Sequence, residues 1–261
     1  MPHQHIVMWS GGITSWAVAR MIVQRHGKEA VTFLFADTNT EDDDLHRFNE
    51  EAAAMLGGRI VRVADPQERD IWDVFEDDRF LGNTRLANCS KYLKQIPSRK
   101  WVAENTTPES ATLYIGIDWT ETHRIPANRA GWAPWAVEYP LTEPPYIDKE
   151  DLIAEAEALG LKPSRMYELG FAHANCGGTC VRAGQGQWAR VLEVFPERYA
   201  YAEMREERLR QKLGKDVAVL RDRRGGVTKP MTLRVLRERI EAKEAVDAAD
   251  IGGCGCFTSE D

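Results

Sequence analysis

The sequence predicts an α/β protein built on a Rossmann-like parallel sheet of about five strands, with helices on both faces. Two observations support this fold class. Short, continuous apolar runs alternate with helix-length segments through roughly the first 140 residues, which is typical of a parallel sheet buried on both faces. Helical patterns then dominate. We therefore expect a nucleotide-binding α/β domain over 1–147 and a mainly helical, cysteine-containing region over 148–261.

The predicted strands are short runs rich in apolar and β-branched residues: His5–Trp9, Ala30–Ala36, Arg59–Val63, Ala111–Ile117 and Trp135–Tyr139. Between the first three strands, Thr14–His26 and Asp42–Leu56 place apolar side chains at helical spacing. Gly27 and Gly57 follow these two segments directly and predict where the helices end.

Prolines interrupt the chain just before residue 148, where we place the domain boundary. Asp148 can cap a helix that reaches about Leu159. The other helices expected in this region are Gly184–Phe195, Pro196–Leu213 and Thr232–Ala245, with a small hairpin over 217–226. The C-terminal region is thus predicted to pack on the sheet as a helical appendage.

Composition is that of an ordinary globular protein, with 43% hydrophobic and 29% charged residues among 261. No apolar run is long enough to predict a membrane span, and the N-terminus lacks the pattern of a signal peptide, so we expect a cytoplasmic protein without a membrane partner. Although the net charge is −7, the segment Arg198–Arg239 holds thirteen Lys and Arg against six Asp and Glu. Such a surplus indicates either a solvated helical face or a nucleic-acid surface.

The residues Ser10, Gly11, Gly12, Ile13, Thr14 and Ser15 lie between the first strand and the first helix. Ligands of parallel sheets bind at this edge. The glycines allow close backbone approach, the helix N-terminus offers unpaired N–H groups, and the hydroxyls add donors. The segment is therefore either a pyrophosphate-binding loop or a plain glycine-rich turn. Neither GxxxxGK[ST] nor GxGxxG is present here.

This loop resembles the SGGxxS loop of the PP-loop ATP pyrophosphatases, which cleave ATP between its α and β phosphates. The resemblance implies binding of an adenine nucleotide, ATP, together with Mg²⁺. It assigns the phosphates to Ser10, Gly11, Gly12, Thr14 and Ser15. Thr14 stands where the common form of the loop has aspartate.

Three further segments resemble the phosphoadenosine phosphosulfate (PAPS) reductases and their relatives. "FADTNTED" at the end of the second strand is similar to their DTG-type segment, which implies an adenosine pocket lined by Ala36, Asp37 and Thr38. "CSKYLKQIPSRKW" matches a Cys-x(n)-Lys-x-x-Pro pattern through Lys94. "GIDWTETHR" matches G-x-x-x-x-E-x-x-R from Gly116 to Arg124. By this resemblance Gly116 adjoins the nucleotide, and Lys94 and Arg124 contact the acceptor or the leaving group.

The five cysteines occur at Cys89, Cys176, Cys180, Cys254 and Cys256, a clustering that indicates metal or redox chemistry. Iron–sulfur sulfonucleotide reductases carry a similar spacing, which implies a [4Fe–4S] cluster on Cys89, Cys176, Cys180 and a tail cysteine such as Cys254. A zinc site on the same thiolates is the alternative. Inert buried cysteines with a tail thiol pair are the third reading.

Three functions remain open at this level. The first is an ATP pyrophosphatase that adenylates an acceptor, with sulfur transfer to a nucleic acid if a cluster and a sulfur donor are present. The second is a PAPS or APS reductase in which Cys256 is the nucleophile and a thioredoxin-like protein is the reductant. The third is a non-catalytic accessory protein that binds nucleotide.

Overall fold

The computed structural model describes residues 2–83 and 86–253. Five strands form one parallel sheet in the order β3-β2-β1-β4-β5, which confirms the predicted fold class. The strands are β1 (Gln4–Trp9), β2 (Val31–Asp37), β3 (Arg59–Ala64), β4 (Ala111–Ile115) and β5 (Ala136–Glu138). A separate antiparallel pair consists of β6 (Leu220–Asp222) and β7 (Lys229–Met231).

Ten α-helices surround the sheet within the described part of the chain. In the first half these are α1 (Ile13–His26), α2 (Asp43–Leu56), α3 (Ile71–Asp78), α4 (Ile96–Asn105) and α5 (Ile125–Trp132). In the second half they are α6 (Lys149–Ala158), α7 (Arg165–Glu168), α8 (Gln185–Val194), α9 (Pro196–Leu213) and α10 (Leu233–Glu241). Sequence analysis missed α3, α4, α5 and α7, which are between four and ten residues long and so offer little helical periodicity.

The order of the strands indicates at which edge of the sheet a ligand would bind. β1 is central: Ile6 is in register with Thr32 of β2 on one side and with Leu113 of β4 on the other. The chain winds outward from β1 in both directions, so the order reverses between β1 and β4. In open parallel sheets ligands bind beyond the carboxyl ends of the strands at such a reversal. The segment after β1 therefore occupies the position that the fold favours for a ligand.

The two faces of the sheet carry separate apolar cores. Alternation along β1 sends Val7 and Trp9 into the larger core, and Ile6 and Met8 into the smaller one. The larger core includes side chains from both sides of residue 147, such as Trp188 of α8, so the helical region packs directly on the sheet. The boundary at 147 itself stays a prediction.

Ion pairs join the helical region to the sheet region. The Asp42 carboxylate is fully buried and accepts hydrogen bonds from Arg165 at 2.8 Å and from Arg198 at 2.6 Å. Arg205 of α9 lies 2.8 Å from Asp73 of α3. Most of the cations between Arg198 and Arg239 lie within 4.0 Å of a carboxylate, some across to the sheet region and others within the helical region, so the basic surplus is largely paired.

None of the helices in the described chain has the length and apolarity that a membrane crossing would require.

Candidate functional site

The loop after β1 is shaped by one glycine in a left-handed conformation. Gly11 has φ +76°, and a Cβ atom there would lie 2.7 Å from Leu45 Cγ and 2.9 Å from Asn49 Oδ1. Both the backbone angle and the space therefore exclude a larger residue. Gly12 has extended backbone angles and precedes the first turn of α1. The loop thus turns sharply from strand to helix, as an anion-binding loop must.

Ser10, Thr14 and Ser15 of this loop line a cleft, and hydrogen bonds hold the loop at the start of α1. The Ser15 hydroxyl donates to the Gly12 carbonyl oxygen at 2.7 Å, which fixes the first turn of the helix. The Ile13 N–H donates to the Tyr167 hydroxyl at 3.0 Å. Burial raises the pKa of Tyr167 to about 12, so its oxygen stays protonated and accepts at neutral pH. A neutral hydroxyl thus lies at the helix N-terminus, where an anionic oxygen would also be stabilised.

The opposite wall of the cleft comes from the end of β4 and the segment after it. A Cβ atom on Gly116 would lie 3.0 Å from the Thr14 carbonyl carbon and 3.1 Å from the Ser15 nitrogen, so only glycine allows this approach. Arg124 lines the same cleft and pairs with Glu121 at 2.7 Å. The loop predicted to bind phosphates and the arginine predicted to face them therefore meet across one cleft.

His173 and Asn175 complete this cleft, which we call the nucleotide cleft. Its other lining residues are Met8, Ser10, Thr14, Ser15, Ile115, Gly116, Ile117, Glu121 and Arg124. Asn175 directly precedes Cys176 in sequence, and His173 lies three positions before it. The cysteine-containing loop therefore forms part of the nucleotide cleft, a contact that only the folded chain reveals.

The three residues expected to line an adenosine pocket are all buried at the end of β2. Asp37 accepts a hydrogen bond from Arg62 at 2.8 Å and one from the Asn39 N–H at 2.9 Å. Thr38 donates to Glu41 at 2.9 Å and lines a second cavity, described next. The adenosine role of Ala36, Asp37 and Thr38 stays a prediction.

The second cavity brings together cysteines that are far apart in sequence. Cys89, Cys176 and Cys180 all line it, and all three are free thiols. The thiol of Cys180 forms a hydrogen bond with that of Cys176. The remaining lining residues of this cysteine cavity are Thr38, Ile71, Ala87, Ser90, Lys94 and Arg182. The three cysteines therefore line one cavity, and their role as metal ligands stays a prediction.

The backbone has an unusual conformation next to two of these cysteines. Cys89 precedes a π-helical turn over Ser90–Gln95, a rare geometry that is frequent at functional sites. Cys176 has φ +54° and ψ +30°, left-handed values that a non-glycine residue adopts only at some cost in energy. The glycines that follow it, Gly177 and Gly178, have φ +54° and +85°. The loop is thus wound in a conformation that the surrounding contacts must maintain.

A buried ion pair supports this loop. Lys94 Nζ lies 3.7 Å from Glu41 Oε1, and both side chains are at most 5% exposed. The other carboxylate oxygen of Glu41 accepts the Cys176 N–H at 2.5 Å. Burial raises the pKa of Glu41, while the charge of Lys94 opposes that shift. Glu41 therefore connects the end of β2 to the left-handed turn at Cys176.

The thiols of Cys89 and Cys176 are held neutral in the protein alone. Burial raises the pKa of Cys89 to about 12. A hydrogen bond with Cys180, followed by burial, raises the pKa of Cys176 well above its ordinary value. Either of these two thiols is thus a poor nucleophile unless a bound cation stabilises its deprotonated form. Among the described residues, no group of three His, Cys, Asp or Glu side chains is found that could hold a metal ion.

Two predicted site residues, Cys254 and Cys256, lie outside the described residues. The structure separates the other two candidate cations: Arg124 lines the nucleotide cleft, whereas Lys94 lines the cysteine cavity. Sequence analysis did not identify Tyr167 or Glu41 as site residues. Tyr167 lies outside the recognised motifs, and Glu41 lies within the "FADTNTED" segment but carries no role in the resemblance. Each reaches the site through contacts between distant segments.

Comparison with known proteins gives similar structures at low identity. A phosphoadenylyl-sulfate (PAPS) reductase from Candida auris, in a phosphate complex, is similar over 66% of this chain and 79% of its own, with 14% identity and a TM-score of 0.45. NMN synthetase from Francisella tularensis is similar over 65% of this chain and 73% of its own, with 12% identity and a TM-score of 0.44. No family model and no curated protein matches.

Proposed function

We propose that this protein is a PP-loop enzyme that binds ATP in the nucleotide cleft and cleaves the bond between its α and β phosphates. The observation that carries the proposal is the approach of two walls: the Ser10–Ser15 loop on one side, and Gly116 with Arg124 on the other. Loop N–H groups and the start of α1 favour negative charge on one wall, and a guanidinium favours it on the other.

In this reaction a nucleophilic atom of an acceptor attacks the α phosphorus. The bond to the bridging oxygen of the β phosphate breaks, pyrophosphate leaves, and the acceptor becomes adenylated. Negative charge grows on the leaving group, where loop N–H groups and Arg124 stabilise it. Catalysis then depends mainly on positioning and on preorganised charge.

Mg²⁺ accompanies ATP in this proposal. Glu121 supplies a carboxylate to the nucleotide cleft, and Mg²⁺ is commonly held by one or two carboxylates plus substrate phosphates. Because Glu121 pairs with Arg124 at 2.7 Å, it would have to share its oxygens between the two cations. Thr14, at the position where aspartate is common, offers a hydroxyl oxygen in place of a second carboxylate.

For the cysteine cavity we propose a metal held by Cys89, Cys176 and Cys180, with Cys254 as the fourth thiolate. The donor set fits, since both [4Fe–4S] clusters and structural zinc take four thiolates. We favour a cluster because the cysteine spacing resembles that of the iron–sulfur sulfonucleotide reductases, and zinc on the same thiolates is the alternative. When bound, a cluster would supply redox or sulfur chemistry next to the nucleotide.

Sulfur transfer to an adenylated nucleic acid is the overall reaction that unites the two cavities. Its support is their adjacency, since Asn175 lines one cavity and Cys176 the other. In this reaction Lys94, which lines the cysteine cavity, would contact the acceptor. The paired basic segment adds no support for a nucleic-acid acceptor, so the acceptor rests on the resemblance alone.

ATP binding by calorimetry tests the first step. We expect Arg124→Ala to weaken binding about tenfold or more, because a charge-assisted hydrogen bond is worth about 1.5–3 kcal/mol. Arg129→Ala is the matched control: Arg129 lies on α5 but stacks over Tyr139 and does not line the cleft. Equal effects of the two variants, or a wild-type protein that does not bind ATP, would contradict the proposal.

A sulfonucleotide reductase is the second candidate, because the described chain ends at Gly253 beside the cysteine cavity and two tail cysteines follow. In that case Cys256 attacks the sulfate sulfur, and the bond from sulfur to the phosphate oxygen breaks. A thioredoxin-like thiol then reduces the resulting enzyme thiosulfonate and releases sulfite. Consumption of PAPS with thioredoxin, lost in Cys256→Ser, would establish this activity in place of ATP cleavage.

A further inference from the structure

The first turn of α1 obtains a hydrogen-bond partner from a distant segment. Gly12 is the N-cap residue of α1 and has no side chain, so it cannot accept from a backbone N–H as Ser, Thr, Asp or Asn would. The N–H of Ile13, the first helical residue, donates instead to the Tyr167 hydroxyl at 3.0 Å. This bond spans 154 positions of the chain. One end of the Ser10–Ser15 loop is thus held by a residue of the helical region.

The same hydroxyl oxygen packs closely on the loop. A Cβ atom on Gly12 would lie 3.3 Å from the Tyr167 hydroxyl oxygen and 3.4 Å from the Ser10 hydroxyl oxygen. The Gly12 N–H donates to Ser10 Oγ at 3.4 Å. The body of the Tyr167 side chain is partly buried and packs against the larger core, which also contains Ile13. Core packing therefore determines where the Tyr167 oxygen lies relative to the loop.

The helix that carries Tyr167 is short and is docked through one arginine. α7 has only four residues, too few to be stable without tertiary contacts. The Arg165 N–H donates to Asp44 Oδ2 at 2.7 Å, and the Arg165 guanidinium donates to both oxygens of Asp42 at 2.8 Å. Both aspartates lie at the start of α2. The Tyr167 hydroxyl thus keeps its place at the loop through the docking of α7 on the sheet region.

α7 also contacts the cysteine-containing loop. Gly178 lies between Cys176 and Cys180. A Cβ atom on Gly178 would lie 3.0 Å from Met166 Cε, so the Met166 side chain packs directly on that glycine. Two consecutive residues of α7 therefore contact the loops of the two cavities, Met166 on one side and Tyr167 on the other.

We propose that Tyr167 is a positioning residue for nucleotide binding: its hydroxyl orients the first turn of α1, so that binding of phosphate groups to the Ser10–Ser15 loop and docking of α7 stabilise each other. The inference rests on the proposed function for the identity of the ligand. Tyr167 is not among the described residues that line the nucleotide cleft, so it acts through Ile13 and not on the phosphates. The coupling must be reciprocal, because a ligand that prefers the oriented loop also favours the docked helix that orients it.

The experiment measures binding of ATP and of inorganic pyrophosphate to the full-length protein by calorimetry. Tyr167→Phe removes only the hydroxyl and is expected to weaken both ligands about fivefold, the effect of losing one neutral hydrogen bond. Tyr199→Phe is the matched control. The Tyr199 hydroxyl donates to the Leu233 carbonyl oxygen at 2.6 Å within the helical region, so this variant also loses a tyrosine hydrogen bond but should bind as wild type does.

Hydrogen exchange supplies a readout that a purely structural tyrosine would not change. The amides of residues 169–171 donate to backbone oxygens of α7, so their exchange reports on the docking of that helix. Saturating ATP should slow their exchange about fivefold in wild type and in Tyr199→Phe, by reciprocity with the effect on affinity. In Tyr167→Phe, ATP should leave their exchange unchanged. Circular dichroism should show native helix content in both variants.

The outcomes separate this inference from the proposed function. Equal ligand affinities in wild type and Tyr167→Phe, equal losses in Tyr167→Phe and Tyr199→Phe, or the same effect of ATP on exchange in wild type and Tyr167→Phe would overturn the inference and leave the proposed function standing. If pyrophosphate binds wild type and is weakened in Tyr167→Phe while ATP does not bind at all, Tyr167 acts as inferred and the proposed function is wrong. If neither ligand binds wild type, both are wrong.

Discussion

The sheet half of the chain, residues 2–147, and the helical half, residues 148–253, are held in different ways. In the sheet half, strands pair in register and bury continuous apolar runs, so stability is spread over many similar contacts. The helical half shares the larger apolar core with the sheet and adds single buried polar groups. Asp42 of the sheet half binds two arginines of the helical half, and Glu206 accepts hydrogen bonds from two backbone N–H groups within the helical half. Loss of one such group should therefore matter more for the helical half.

The largest expected effect is the loss of Asp42. Arg165 and Arg198 of the helical half would lose their shared partner, and breaking a buried ion pair costs about 3–5 kcal/mol. Burial alone would raise the pKa of Asp42, yet the hydrogen bonds from both arginines hold it below its ordinary value. We expect Asp42→Ala to lower the free energy of unfolding by that amount in urea titrations.

Asp43→Ala is the matched control, because Asp43 is the exposed neighbour of Asp42 and its loss should cost no more than about 0.5 kcal/mol. Hydrogen exchange then tests the comparison between the halves. In Asp42→Ala, amides of α9 should lose protection more than amides of β1. Equal loss in both elements would show that the two halves do not differ in the way they are held.

A smaller effect is expected in the sheet half from Gly11→Ala. Left-handed backbone costs an alanine about 1–2 kcal/mol, and contact with Leu45 adds to it, so about 2–3 kcal/mol of stability should be lost. ATP affinity should fall at least tenfold, because the loop that orients the N–H groups is displaced. Gly27→Ala is the control. Gly27 has φ +80° with nothing within 4 Å of an added Cβ atom, so this substitution introduces backbone strain without a steric contact. Wild-type ATP affinity in Gly11→Ala would contradict the assigned role of the loop.

The smallest effects concern pH, and the two halves should respond in opposite directions. Burial raises the pKa of Glu206, in the helical half, from 4.5 to about 7. The folded state then binds the proton more tightly, so stability falls as pH rises from about 4.5 to 7. The free-energy difference between wild type and Glu206→Gln should change by at most about 1.4 kcal/mol per pH unit in that window.

His5, in the sheet half, has the opposite sign. Burial, followed by the charges of His26 and His3, lowers the pKa of His5 from 6.5 to about 4. The unfolded state then binds the proton more tightly, so stability falls as pH drops from about 6.5 to 4. The difference between wild type and His5→Gln should show this slope in chemical unfolding from pH 4 to 7. Slopes of the same sign for His5→Gln and Glu206→Gln would contradict the contrast between the halves.

The elements that were predictable share one physical property. The strands are recognisable because a parallel strand buried on both faces is apolar throughout, and α1 and α2 because helical spacing and a following glycine mark their ends. The phosphate-type loop was predictable because all of it lies within Ser10–Ser15, next to the strand and helix that orient it. In each case the interactions that matter connect residues close in sequence.

The cysteine cavity shows what the residue pattern could not supply. The spacing of the cysteines was compatible with an iron–sulfur cluster, a zinc site or inert thiols. It did not indicate that Glu41 and Lys94 form a buried pair beside Cys176. Tyr167 likewise reaches Ile13 across more than 150 residues, and its own neighbourhood carries no motif. A buried polar contact between distant segments depends on where the whole chain brings them, and local sequence does not encode that.

The sequence by itself thus determined the parallel sheet, the edge of the sheet at which a ligand would bind, and the glycine loop at that edge. Strand patterns and backbone turns depend on interactions between residues only a few positions apart. The tertiary structure decided which cation lines which cavity and how most of the basic segment is paired. Those outcomes depend on pairs of charges and backbone groups that meet only when the helical half docks, since each must find a partner once it leaves water.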